Sequence, residues 1–217
     1  MRLQQFVNEI NDIEQHLKDR GIDFNKTKVF FDKETNTATF LLYNLSGKLV
    51  GYQLYNPNGK KGINYSDKTG RNLSKKDLMK YYTYITREND KTKSIAVYGL
   101  DTYDLKSKYL FVVEGIFDAI KLHRQGLPCI AVLMNDPKSY KEWFGILPQK
   151  IIAILDNDEN KAGNKLKGIA DVSYTVYNPY NDLGDMSDKE VKEFINSLGI
   201  RGIKLWDYNN LWMRSMI

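Results

Sequence analysis

The sequence predicts an α/β chain in two parts, a β-rich first half and a second half built as a mainly parallel sheet with flanking helices. Three observations carry this expectation. From Tyr109 onward, apolar runs of strand length alternate with helical patterns about every 20 residues, the spacing of βα units. Before Tyr109 the runs alternate polar and apolar residues and are joined by short turns, the signature of an antiparallel meander. Charge divides at the same place. Residues 1–108 carry 19 Lys/Arg against 13 Asp/Glu, whereas residues 109–217 carry 13 against 14. The change of pattern near 100–108 gives an expected organisation of 1–105, 106–200 and a short aromatic tail, 201–217.

In chain order, residues 3–18 place Leu3, Phe6, Val7, Ile10, Ile13 and Leu17 on one helical face, and Arg20-Gly21 ends that helix. Strands are predicted over 28–31, 37–43 and 49–55. Ala38, Phe40 and Leu42 share one side of the second, and Leu45-Ser-Gly-Lys48 turns it into the third. Asn56-Pro-Asn-Gly-Lys60 is a further turn signal, and 60–67 reads as a strand or extended loop. Residues 74–84 read as a helix capped by Ser74, and 86–94 as a polar loop. In the second half, strands are expected over 109–113, 129–133, 151–155 and 173–177, and helices over 116–125, 138–145, 161–170 and 187–198. That alternation describes a Rossmann-like architecture. The tail contains Leu205, Trp206, Tyr208, Leu211 and Trp212 and is expected to pack back on the body.

Composition excludes several classes. Hydrophobic residues make up 42% of the chain, enough for a core, yet no run of eighteen apolar residues exists to span a membrane. The N-terminal pattern contains acids and has no apolar stretch of signal-peptide type. With one cysteine, Cys129, in an apolar run, and two histidines, neither a disulfide framework nor a zinc finger is available. A reducing cytoplasm is the expected location. Residues 46–93 hold 11 Lys/Arg against 4 Asp/Glu, a positive surface beside a nearly neutral half. A polyanion-handling enzyme needs that division, and a merely solvated lysine-rich surface would share it.

The acids sit where strands end. Tyr109 to Val113 stops at Glu114-Gly115, and a helical pattern begins at once, with Asp118 on its first turn. In open α/β sheets ligands bind beyond the carboxyl ends of the strands. Ile151 to Leu155 ends in Asp156-Asn-Asp158, and alternation puts those two acids on one side. An EF-hand loop would need Gly at its sixth position and Glu at its twelfth. Here these are Lys161 and Lys167. The fourth predicted strand is followed by Asp182 and Asp185, a pattern that turns also use. Carboxylates converging on one rim repel one another, and hard divalent cations, Mg²⁺ or Mn²⁺, would relieve the repulsion. The chemistry this implies is metal-assisted phosphoryl transfer.

The series Val-Val-Glu114-Gly-x-x-Asp118, Leu-Asp156-x-Asp158 with Ala162-Gly163, and Asp182-x-x-Asp185 resembles the Toprim domain, over roughly residues 109–190. Upstream, Leu17 to Ile22, the hairpin Leu45 to Asn56, the basic stretch Lys60 to Ser66 and Tyr98-Gly-Leu100 resemble, in this order, landmarks of the DnaG-type DNA primase catalytic core of bacteria and phages. The resemblance implies synthesis of short RNA primers on a single-stranded DNA template from nucleoside triphosphates. It also implies that Glu114, Asp156 and Asp158 hold the metals, with Asp118, Asp182 and Asp185 in support. Lys60, Lys61, Arg71 and Arg87 become candidates for template or triphosphate contacts, and Tyr65 for stacking on a base. Primases of this type carry a zinc-binding module and a helicase-associated part. The sequence contains neither, so a replicative helicase or a separate zinc-domain protein is an expected partner. A Toprim nuclease of structured RNA or DNA, or a binding module with a residual metal site, are the alternatives.

Overall fold

A computed structural model describes residues 10–60, 79–87, 94–133, 137–157 and 161–202. Helix α1, Ile13–Asp19, starts where Asp12 turns extended and accepts the Gln15 N–H, and it buries Ile13 and Leu17. Of the expected helix over 3–18, the described part is helical only from Ile13. Residues 10–12 are not helical, because Asp12 caps a new start, and residues 1–9 lie outside the described residues.

Four strands follow: β1 (Val29–Asp32), β2 (Thr37–Tyr43), β3 (Leu49–Tyr55) and β4 (Tyr81–Ile85). They form one antiparallel sheet in sequence order. β4 corrects the expectation of a helix over 74–84. Tyr81-Tyr-Thr-Tyr-Ile85 is rich in β-formers, and pairing with β3 takes all five residues. The rest of that predicted helix, 74–78, and most of the stretch 60–67 lie outside the described residues.

The second sheet is wholly parallel: β5 (Tyr109–Val113), β6 (Cys129–Ala131), β7 (Lys150–Leu155) and β8 (Val172–Thr175), ordered β6-β5-β7-β8. Between them run α2 (Ile116–Arg124), α3 (Lys141–Ile146) and α4 (Lys161–Lys167), and α5 (Asp188–Ser197) closes the series. A 3-10 turn, Pro137–Tyr140, takes the first part of the helix expected over 138–145. α5 opens on a capping box between Ser187 and Glu190. No helix of the described residues is long and apolar enough to cross a membrane.

β5 is buried along its whole length, as a central parallel strand must be. Tyr109, Phe111 and Val113 enter one core with Ala38, Phe40 and Leu42 of β2, while Leu110 and Val112 enter another with Tyr140, Trp143 and Phe144. The first core therefore fills the space between the two sheets. Phe117 of α2 is central to it, with ring centroids 4.9 Å from Tyr55 and 5.9 Å from Phe40. Two consecutive residues stitch the sheets together: Val97 exchanges backbone hydrogen bonds with Tyr43, and Tyr98 with Ala131. Gly99, at φ +86, must follow. A Cβ there would stand 2.5 Å from the Cys129 carbonyl oxygen and 2.8 Å from the His123 ring. Cys129 itself is fully buried, and burial pushes its thiol well up, consistent with a packing role.

Candidate active site

The order β6-β5-β7 means that the chain leaves β5 to one side and later returns to the other. The carboxyl ends of β5 and β7 therefore flank a topological switch point, where open α/β sheets leave a crevice. Glu114 follows β5 directly and Asp156 follows β7 directly. Both line a cavity of about 320 Å³. Asp118 reaches it from the first turn of α2, and Asp182 from the loop after β8. The opposite wall is the inner face of the antiparallel sheet, represented by Gln53, Tyr81 and Thr83. The cavity thus lies between the two halves of the chain.

Asp118 is the most constrained acid. It is buried, and its Oδ1 accepts the Gly184 N–H at 2.9 Å. Burial, and then the charge of Asp182, push its carboxyl up to about 7, against the pull of the Gly184 N–H and Arg20. Gly115 leaves room for it, since a Cβ there would lie 2.5 Å from Asp118 Oδ2. Asp182 caps the short 3-10 turn Leu183–Asp185, accepting the Asp185 N–H at 3.0 Å. Asp185 is exposed and does not line the cavity. The loop is held from behind. Lys121 Nζ, on buried α2, donates to the Met186 carbonyl at 2.6 Å, and burial lowers its pKa. Arg124 donates to both Asp188 carboxylate oxygens and, through Nη1, to the Gly21 carbonyl at 2.8 Å. One helix therefore fixes the turn after α1 and the loop bearing Asp182.

Arg20 is the residue that sequence reasoning assigned only to a helix end. It is the single cation among the described residues lining the cavity. Its guanidinium lies 4.0 Å from the Phe117 ring centroid, and it hydrogen-bonds Tyr55, which in turn meets His16 Nε2 at 2.7 Å. Its Nε makes no hydrogen bond among the described residues. The available signal was the buried pair Leu17 and Ile22 around the turn, which fixes the direction of the helix end.

Of the sequence-predicted site residues, Glu114, Asp118, Asp156 and Asp182 are thus brought together and Asp185 is not. Asp158, Lys61, Tyr65 and Arg71 lie outside the described residues. Lys60 and Arg87 are exposed and do not line the cavity. The assembled donors are carboxylate oxygens, which suit a hard divalent cation. Among the described residues no three His, Cys, Asp or Glu side chains already stand as a ligand set. The fit therefore rests on donor chemistry.

No protein-family model matches the sequence, and no curated protein matches it. Solved structures do. The Aquifex aeolicus primase structure of zinc-binding and RNA polymerase domains matches at TM-score 0.57 and 16% identity, over 85% of this chain and 55% of that one. A DnaG catalytic core matches at TM-score 0.57 and 14% identity, over 86% and 71%. A DnaG primase catalytic domain bound to single-stranded DNA matches at TM-score 0.50 and 18% identity, over 74% and 51%. The fold is that of DnaG-type primase catalytic cores. The chain spans about half the length of the Aquifex structure.

Proposed function

We propose that this chain is a primase-type nucleotidyltransferase, a Toprim core that makes short RNA primers on single-stranded DNA from nucleoside triphosphates. The observation that carries the reading is the convergence of Glu114 and Asp156 at the switch point of a primase-like fold, in a cavity that also holds Arg20. Glu114, Asp156 and Asp158 would hold Mg²⁺ or Mn²⁺, with Asp118 and Asp182 behind them. Such an ion supplies Lewis-acid stabilisation of phosphoryl oxygens and favours the ionised 3′-hydroxyl. Arg20 offers donors to a phosphate at the same cavity and balances part of the acidic charge. Gln53 and Thr83, a hydrogen-bonded pair at 2.9 Å on the facing sheet, present polar groups from the template side. Phe117, packed beneath Arg20, keeps the floor dry. Lys60, Lys61, Tyr65, Arg71 and Arg87 lie on the more basic half and are assigned to the template path. A replicative helicase or a zinc-domain protein would supply start-site selection from outside the matched region.

The test is incubation with single-stranded template, labelled ribonucleotides and Mg²⁺ or Mn²⁺. Short RNA products that disappear in Asp156→Ala and Glu114→Gln, with both variants folded, are the expected result. Degraded template without synthesis would replace the reading with a nuclease, and unaltered nucleic acid would reject an enzyme of either kind.

A further inference from the structure

Arg20 poses a problem of placement. It lines the cavity that Asp118 and Asp182 also line, and its charge acts on the buried Asp118 carboxyl. A long cationic side chain is drawn onto such carboxylates unless something else holds it. Two residues away from the acidic rim do so. His16 lies in the last turn of α1 and Arg20 caps it, with the Arg20 backbone N–H donating to the His16 carbonyl at 3.0 Å. Tyr55 ends β3 and is fully buried. Its hydroxyl stands 2.7 Å from His16 Nε2, and the two rings stack with centroids 5.8 Å apart and 17° between their planes. The Phe117 ring packs against both partners, 4.0 Å from the Arg20 guanidinium and 4.9 Å from the Tyr55 ring centroid. Gly184 makes room for the far end of the arginine, since a Cβ there would stand 2.9 Å from Arg20 Nη2.

Hydrogen-bond chemistry gives this series one direction. Burial raises the pKa of the Tyr55 hydroxyl, and the charge of Arg20 and a hydrogen bond with it pull the other way. A guanidinium only donates, so the Tyr55 oxygen accepts from Arg20, and its own O–H goes to His16 Nε2. That nitrogen accepts only in a neutral imidazole whose proton sits on Nδ1. Burial, then the charges of Arg20 and Lys80, lower the His16 pKa and favour this form, against the opposing charge of Asp19. Donation therefore runs from Arg20 through Tyr55 to His16.

We propose that Tyr55 and His16 are positioning residues, which hold the Arg20 guanidinium over Phe117 so that it meets a phosphate of a nucleoside triphosphate in the cavity and does not collapse onto Asp118 and Asp182. The inference rests on the proposed function for the identity of the ligand. Neither Tyr55 nor His16 lines the cavity, so each acts on the nucleotide only through Arg20. A held guanidinium loses less side-chain freedom when the phosphate arrives, and its donors are already in place.

The experiment is isothermal titration calorimetry of Mg-ATP with the full chain and its Tyr55→Phe, His16→Ala, Arg20→Gln and Tyr55→Phe/Arg20→Gln variants. Thermal unfolding checks that each is folded. Arg20→Gln is expected to weaken binding about 10- to 150-fold, the range of a hydrogen bond to a charged group. Tyr55→Phe keeps the ring and its packing and is expected to lose about 2- to 10-fold, with His16→Ala in the same direction. The double variant is decisive. It should bind as Arg20→Gln alone does, because Tyr55 acts only through that side chain. A general loosening of the fold would add its loss in either background, and that additivity overturns the proposal. So does Tyr55→Phe or His16→Ala binding as tightly as the parent, or a parent that does not bind Mg-ATP. The two readings fail separately. Coupled losses in a parent that makes no primer keep the positioning role and remove the primase. Primer synthesis by the parent, with an unchanged KM for ribonucleotides in Tyr55→Phe, does the reverse.

Discussion

Asp118→Asn is the substitution whose consequence can be worked from the structure in most detail. The carboxyl is buried and its pKa is raised from 3.8 to about 7. Below pH 3.8 the group is protonated in both the folded and unfolded chain, and it adds no pH dependence. Between about pH 4 and 7 the folded chain holds a proton that the unfolded chain has released. Stability therefore falls as pH rises through this window, by up to about 1.4 kcal/mol per unit. Above pH 7 the penalty is constant, on the order of 4 kcal/mol. Asparagine keeps an oxygen to accept the Gly184 N–H and cannot ionise. Urea unfolding in EDTA, followed by the fluorescence of buried Trp143, should give curves for parent and variant that agree near pH 4. They should diverge steadily to pH 7, with Asp118→Asn the more stable. Titrations of groups remote from Asp118 are common to the two chains and cancel in the difference, whereas Asp182, whose charge acts on Asp118, does not. Parallel stability curves from pH 4 to 8 would show that Asp118 is not held in this environment. Repeating the series with Mg²⁺ should narrow the gap by stabilising the parent more than the variant, because a bound cation favours the ionised carboxyl.

Three further substitutions probe the frame around the site. Gly115→Ala places a Cβ 2.5 Å from Asp118 Oδ2, so the carboxyl must move off the Gly184 N–H. Thermal unfolding should show a loss of about 1 to 3 kcal/mol. Lys121→Met leaves the Met186 carbonyl without its 2.6 Å donor, and hydrogen exchange at Leu183 to Met186 should speed up, at a similar cost in stability. Phe117→Ala opens a cavity between the two sheets beside Phe40 and Tyr55 and should cost about 3 to 5 kcal/mol by urea titration.

The parallel sheet was legible because burial there is decided locally. An apolar run of five residues such as Tyr109 to Val113 must be covered on both faces, and Gly115 and Asp118 mark where it stops. The strands β1 to β3 were legible for the complementary reason, a period-two pattern with one buried face. The prediction failed at residues 79–84, where a short polar and aromatic segment satisfies either period. Pairing with β3, a long-range event, decided it for the strand. It failed again at Asp12, where a capping acid outweighed a continuous helical face.

The site was legible in its acids and illegible in its cation. Carboxylates directly after apolar strands announce a shared edge, since parallel strands bring their ends to one rim. Glu114 and Asp156 followed from that rule alone. Arg20 obeys no such rule. It stands at the end of a seven-residue helix on the other side of the molecule in sequence, and only tertiary contacts carry it to the acids. Those contacts are the Arg124 donation to the Gly21 carbonyl and the packing of its guanidinium on Phe117. Tyr52, Tyr82 and Tyr84 are likewise ordinary strand residues until the β3–β4 pairing sets them side by side, and 25 residues lie between Tyr55 and Tyr81. Chemistry fixed by one strand end could be read from sequence, whereas chemistry assembled from two distant segments required the fold. The acids are set by the parallel sheet and Arg20 by the end of α1, and Phe117 packs against the Arg20 guanidinium from the core between the two sheets. Loosening that core with Phe117→Ala should therefore impair synthesis, which needs Arg20 and the acids in register.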